Sequence, residues 1–262
     1  MGIDLEKLKE KMEKMKKGGG YSNDTVFWRP PETGVGEVRF MDYPHSDTDP
    51  FVELWFHYRI GTGPHILCPR RNWGKTCPIC EWANSMDNEG ADKELAKDLW
   101  AKQRFFGVVV DRGDAKLTPK LYGFSKTVYL QLVEKLYETQ FKHYLETDKG
   151  IDVSVKLVHE KGNKYPKTSL TWSRADTELA SAKDVKELIA AVPNVEDIFK
   201  PITANEIKER LNQWLEWKSE NAEENSGEER RGKKDPSFDE EETKNAESVS
   251  EELERALATL QE

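Results

Sequence analysis

The chain has only three cysteines in 262 residues, Cys68, Cys77 and Cys80. An odd number packed so closely excludes a disulfide framework and points to a reducing compartment and a bound metal. No apolar run approaches the roughly eighteen residues of a membrane-spanning helix. The first residues alternate Lys and Glu and lack an apolar core segment, so no secretory signal is expected and the protein is expected to be intracellular. There is no Walker motif, no Gly-x-Ser-x-Gly and no nuclease-like carboxylate cluster, which argues against an enzyme. Apolar residues make up 36% and charged residues 34% of the chain. That balance is poor for a wholly globular chain, so part of the length is expected to be disordered.

A local absence says more. Residues 54–80 contain no Asp or Glu, although the chain-wide frequency (49 of 262) would place about five there. Arg59, Arg70, Arg71 and Lys75 are the charged residues of that stretch. An acid-free patch in an acidic protein suggests a surface kept clear for a polyanion. The net charge of −9 is itself unevenly spread. Residues 219–262 hold 15 acidic and 6 basic side chains, whereas residues 1–218 hold 34 of each. A neutral body with an acidic tail can bind nucleic acid, which a uniformly acidic globule would do poorly.

Periodicity divides the chain into three parts. In residues 1–20, Leu5, Leu8, Met12 and Met15 fall at 3-4-3 spacing, predicting a helix over residues 4–17 that ends at Gly18-Gly19-Gly20. Residues 21–218 form the core. Strands are expected at 35–41, 51–60, 105–111, 117–124, 152–159 and 169–173. Helices are expected at 91–103, from the Ser125 cap to about 145, at 182–192, and at 204–217 after the Thr203-x-x-Glu206 capping box. This mixed α+β, β-rich pattern suggests a small barrel with insertions and peripheral helices. Residues 219–262 read as an acidic, disordered tail; Ser248-x-x-Glu251 and Val249, Leu253, Leu257 and Leu260 suggest a short terminal helix.

Cys77-Pro-Ile-Cys80 has the spacing of two thiolates on one zinc ion, and Cys68 supplies a third. The fourth ligand of a closed structural site is His57 or His65. Gly61-Thr62-Gly63-Pro64 predicts a hairpin turn. A register symmetric about Thr62 and Gly63 would set His57 opposite Cys68 and turn His65 away, favouring His57. The loop thus braced carries Arg70, Arg71, Trp73 and Lys75. A second acid-free run, residues 115–133, carries Lys120, Tyr122, Phe124 and Lys126, and Arg104, Phe105 and Trp172 repeat the pairing of cation with aromatic. Cations follow phosphates and aromatic faces stack on bases, so all of these, with Arg59, are candidate contacts to a single strand.

With its charged N-terminal helix, Gly-rich hinge, Gly36-Glu-Val-Arg-Phe-Met strand, His/Cys block, Lys120-Leu-Tyr-Gly-Phe-Ser-Lys turn and acidic tail, the chain resembles the single-stranded DNA-binding, helix-destabilising proteins of T-even-like bacteriophages. The resemblance implies an OB-fold barrel with an inserted zinc-ribbon-like subdomain over about 54–82, one structural Zn2+ on His57, Cys68, Cys77 and Cys80, and coating of single strands in phage replication, recombination and repair. It further implies self-association along DNA through the N-terminal segment, recruitment of replication and recombination proteins by the acidic tail, no membrane association, and residence in the cytoplasm of an infected bacterium. One departure is Lys16-Lys17-Gly18-Gly19-Gly20, which replaces the family's basic, hydroxyl-bearing cluster. The competing expectation is a zinc-ribbon adaptor or transcription regulator binding proteins or duplex DNA. Under the family reading, removing residues 219–262 should tighten oligo-dT binding at low salt. Fluorescence titration should show the difference shrinking as salt screens the tail.

Overall fold

The computed structural model describes residues 26–46, 48–61, 63–89, 93–160 and 165–220. The helices expected at 4–17 and 248–260, the glycine hinge and the acidic linker lie outside them. The strands are β1 (Phe27–Trp28), β2 (Gly36–Met41), β3 (Val52–His57), β4 (Ile66–Leu67), β5 (Lys102–Asp111), β6 (Pro119–Phe124), β7 (Gly150–Val158) and β8 (Lys167–Thr177). The helices are α1 (Pro69–Trp73), α2 (Pro78–Glu89), α3 (Lys93–Leu99), α4 (Lys126–Tyr137), α5 (Ala182–Ala190), α6 (Val195–Ile198) and α7 (Ala204–Glu220).

The fold is mixed α+β around an eight-stranded sheet ordered β1-β6-β5-β2-β7-β8, with β3 pairing to both β4 and β5. Among the described residues no ladder joins β1 to β8, so the sheet is open and not a closed barrel. No helix of the described residues is long and apolar enough to cross a membrane.

The chain divides into two compact units; the described part of the larger is residues 26–46, 48–55, 103–160 and 165–200. Its core joins Val38, Phe40, Phe51, Phe105, Val109, Tyr122, Phe124, Val153 and Val155 beneath α4. Alternation builds it. In β7, Ile151, Val153 and Val155 point inward while Asp152 and Ser154 are half-buried. β8 pairs antiparallel with β7, setting Val153 opposite Trp172, and runs longer than the expected 169–173. Ser125 caps α4 as expected, its hydroxyl accepting from Val128 N. The helix stops at Tyr137, short of 145, because the chain turns back. Phe141 N donates to Glu138 O at 2.9 Å and Tyr144 N to Phe141 O at 2.8 Å. Buried Tyr144 then returns its hydroxyl to Leu132 O at 3.0 Å.

A fully buried arginine ties this sheet together. Arg39 on β2 pairs with Asp152 at 2.8 Å and donates to Glu146 O and Thr177 O, each at 3.1 Å. Asp152 also receives Arg112 at 3.2 Å and the Thr177 hydroxyl at 3.0 Å. Buried charge survives only when paired in this way, although Arg39 Nε itself finds no hydrogen-bond partner among the described residues. Gly150 makes room for the guanidinium: a Cβ there would strike the Glu146 carbonyl oxygen and lie 2.7 Å from Arg39 Nη1. We expect Gly150→Ala to destabilise the protein by about 1–3 kcal/mol through overpacking, measured by urea unfolding.

Candidate metal centre and basic lobe

The described part of the smaller unit is residues 56–61, 63–89, 93–102 and 201–220. Its elements are short, and each delivers one or two ligands. His57 is the last residue of β3. Cys68 follows β4 as the N-cap of α1, its sulfur accepting from Arg71 N at 3.4 Å. Pro69 takes the first helical position, where a missing N–H costs nothing. Gly74, at φ 65°, ends α1 and returns its N–H to Arg70 O. Cys77 stands just before α2, with Glu81 N donating to Cys77 O at 3.0 Å, and Cys80 lies in the first turn of that helix. Three residues apart, the two sulfurs reach the same side.

The four side chains are fully buried, and their donor atoms all lie within 4.8 Å of one another. His57 Nε2 is 3.3 Å from Cys77 Sγ and 3.7 Å from Cys80 Sγ, and Cys68 Sγ is 3.5 Å from Cys80 Sγ. Metal–sulfur bonds of about 2.3 Å in a tetrahedron imply ligand–ligand edges near 3.8 Å, so the group can hold one metal ion. His57 Nδ1 donates to Leu99 O at 2.7 Å, at the end of α3, which leaves Nε2 facing the sulfurs. Such an outer partner fixes ring orientation in metal sites.

The four groups share protons through short contacts. Burial pulls the His57 imidazolium down, but hydrogen bonds and charge from Cys68 and Cys77 outweigh it and hold the group up at about 9. Hydrogen bonds from Cys77 and Cys80 push the Cys68 thiol well below its usual range, and sharing with Cys68 and Cys77 pushes Cys80 well above it. A metal must displace protons from this group to bind, so its affinity falls as pH falls.

The ligand set agrees with the sequence reading, but the register that argued for it does not. His57 pairs with Ile66, not Cys68, because the turn is not symmetric about residues 62 and 63. Arg59 and Gly61 take left-handed backbone at φ 58° and 71° and displace its centre. Cys68 reaches the cluster as a helix cap beyond the end of β4. His65 is exposed, its ring 4.3 Å from that of Tyr58.

The expected strand contacts divide by burial. Arg59, Arg70, Arg71, Trp73 and Lys75 are exposed on the smaller unit, three of them on α1 itself. In the larger unit Lys126 is exposed and Lys120 half-buried. Phe105, Tyr122 and Phe124 correct the sequence expectation, because they are core residues at 2–4% exposure and offer no open face to a base. Arg104 is likewise buried. Half-buried Trp172 is covered by the Lys135 ammonium, 5.1 Å from its ring. The Leu99 carbonyl escaped the sequence reading, since any residue could supply it. The helices α1 and α2 did leave a signal, Pro69 and Pro78 each following a cysteine cap. No family model matches the chain, and no curated protein matches it.

The centre should bind one metal ion per chain. Metal analysis should find His57→Ala depleted and His65→Ala fully loaded, and chelation should lower the melting temperature of the wild type.

Proposed function

We propose that this is a sequence-tolerant single-stranded DNA-binding protein whose Cys/His centre holds one structural zinc. Three thiolates and one imidazole are soft, closed coordination suited to zinc and unsuited to calcium or magnesium, which take oxygen. The observation that carries the reading is the set of unpaired cations on the metal lobe. Among the described residues Arg59, Arg70 and Lys75 are exposed and make no ion pair, and Trp73, on the same helix as Arg70, is 43% exposed. Unneutralised cations and an open indole on one lobe have the character of a surface for phosphates and bases.

An OB-like ancestry of the sheet belongs to this reading. Its support is the antiparallel run β6-β5-β2-β7-β8 around one aromatic core, in a sheet that stays open. Self-association through residues 1–20, recruitment of replication and recombination proteins by residues 219–262, and action in the cytoplasm of a phage-infected bacterium complete it. These rest on the sequence resemblance.

Oligo-dT should quench tryptophan fluorescence and compete well against duplex DNA; equal affinity for the two would favour the duplex-binding or adaptor alternative. Trp73→Ala should cost about 1–3 kcal/mol of binding if it stacks a base. Arg70→Ala and Lys75→Ala should each lower the slope of log affinity against log salt by about 0.7.

A further inference from the structure

The loop between β3 and β4 has a backbone that metal binding does not require. Arg59 holds φ at 58° and Gly61 at 71°, while Ile60 between them stays in the ordinary negative range. Backbone of alternating φ sign is a feature of main-chain nests, in which successive N–H groups turn toward one side and can receive an anion. Among the described residues the N–H groups of Arg59, Ile60 and Gly61 find no acceptor. The Arg59 guanidinium is exposed and unpaired.

The loop is held from both sides. Ile60 is buried at 5% exposure, and the Tyr58 ring lies against that of His65. On the far side Arg210 of α7 donates to Pro64 O at 3.3 Å. Left-handed backbone is costly for a long side chain such as arginine, and unpaired main-chain donors beside a buried anchor are costly as well. A tetrahedral oxyanion would satisfy the donors and the guanidinium together.

We infer that residues 59–61 form a main-chain phosphate site, with the N–H groups of Ile60 and Gly61 and the Arg59 side chain as its donors. Resting on the single-strand reading, the inference assigns this site a backbone phosphodiester of the bound strand.

The test uses the full, metal-loaded chain, titrated separately with inorganic phosphate and with oligo-dT while the amide resonances of Ile60 and Gly61 are followed by NMR. Both amides should shift in both titrations. Arg59→Gly keeps the left-handed backbone without its strain. It should melt no lower than wild type, bind oligo-dT about tenfold more weakly through loss of a charged hydrogen bond, and lose about 0.7 from the salt slope. Gly61→Ala adds a Cβ with room around it, 3.5 Å from the nearest atom, but strains the left-handed backbone. It should weaken oligo-dT binding and leave the salt slope unchanged. If oligo-dT binds while neither amide moves and both variants match wild type, the loop is only a turn and the inference is overturned with the single-strand reading intact. If phosphate moves the amides but oligo-dT does not bind, the single-strand reading falls and the cradle serves a free phosphate.

Discussion

Four buried donor atoms govern the smaller unit. Its secondary structure is too short to stand by itself: β4 has two residues and α1 five. A helix of that length is unstable in water, and a two-stranded ladder is marginal. The apolar residues beneath, Ile66, Ile79, Leu99 and Ile207 among them, form a thin core. The donor atoms of His57, Cys68, Cys77 and Cys80 bring the ends of β3, β4, α1 and α2 to one point, where coordination to a single metal ion would join them, and the Leu99 carbonyl adds the end of α3. In such a unit a bound metal would stand in for the hydrophobic mass that is missing.

The larger unit solves the same problem by ordinary means. Phe40 meets Phe51, Phe124 and Tyr144 edge-on with ring centres about 6.5 Å apart or less, the geometry aromatic quadrupoles prefer. Its one extravagance is the Arg39–Asp152–Arg112 network. Replacing such a network with apolar groups is often neutral, whereas removing one member strands a charge. Its value here is geometric, because it fixes β2, β7 and the end of β8 in one relation.

What the sequence made legible was local. The Ser125 cap and the Thr203/Glu206 box each depend on residues three apart, and the structure has both. The β7–β8 pairing was legible because alternation survives in both strands. The cysteine spacing was legible because chelation imposes it. The register of β3 on β4 was not, since it turns on the left-handed backbone of Arg59, which its residue type disfavours. Nor was the burial of Phe105, Tyr122 and Phe124. An aromatic beside a lysine reads the same whether it faces a base or a core, and only the sheet's packing decides.

Cys68 holds two posts at once, as a member of the group that can hold a metal ion and as N-cap of the helix that displays Arg70 and Trp73. The two duties cannot be relaxed separately. An ion bound to the sulfur that accepts Arg71 N–H would hold the first turn of α1 more firmly. Thermodynamic reciprocity then runs the other way: a molecule that grips the formed helix raises the affinity of the centre for its ion by the same factor that the ion raises affinity for that molecule. A partner bound to that surface would therefore strengthen the centre's equilibrium hold on an ion.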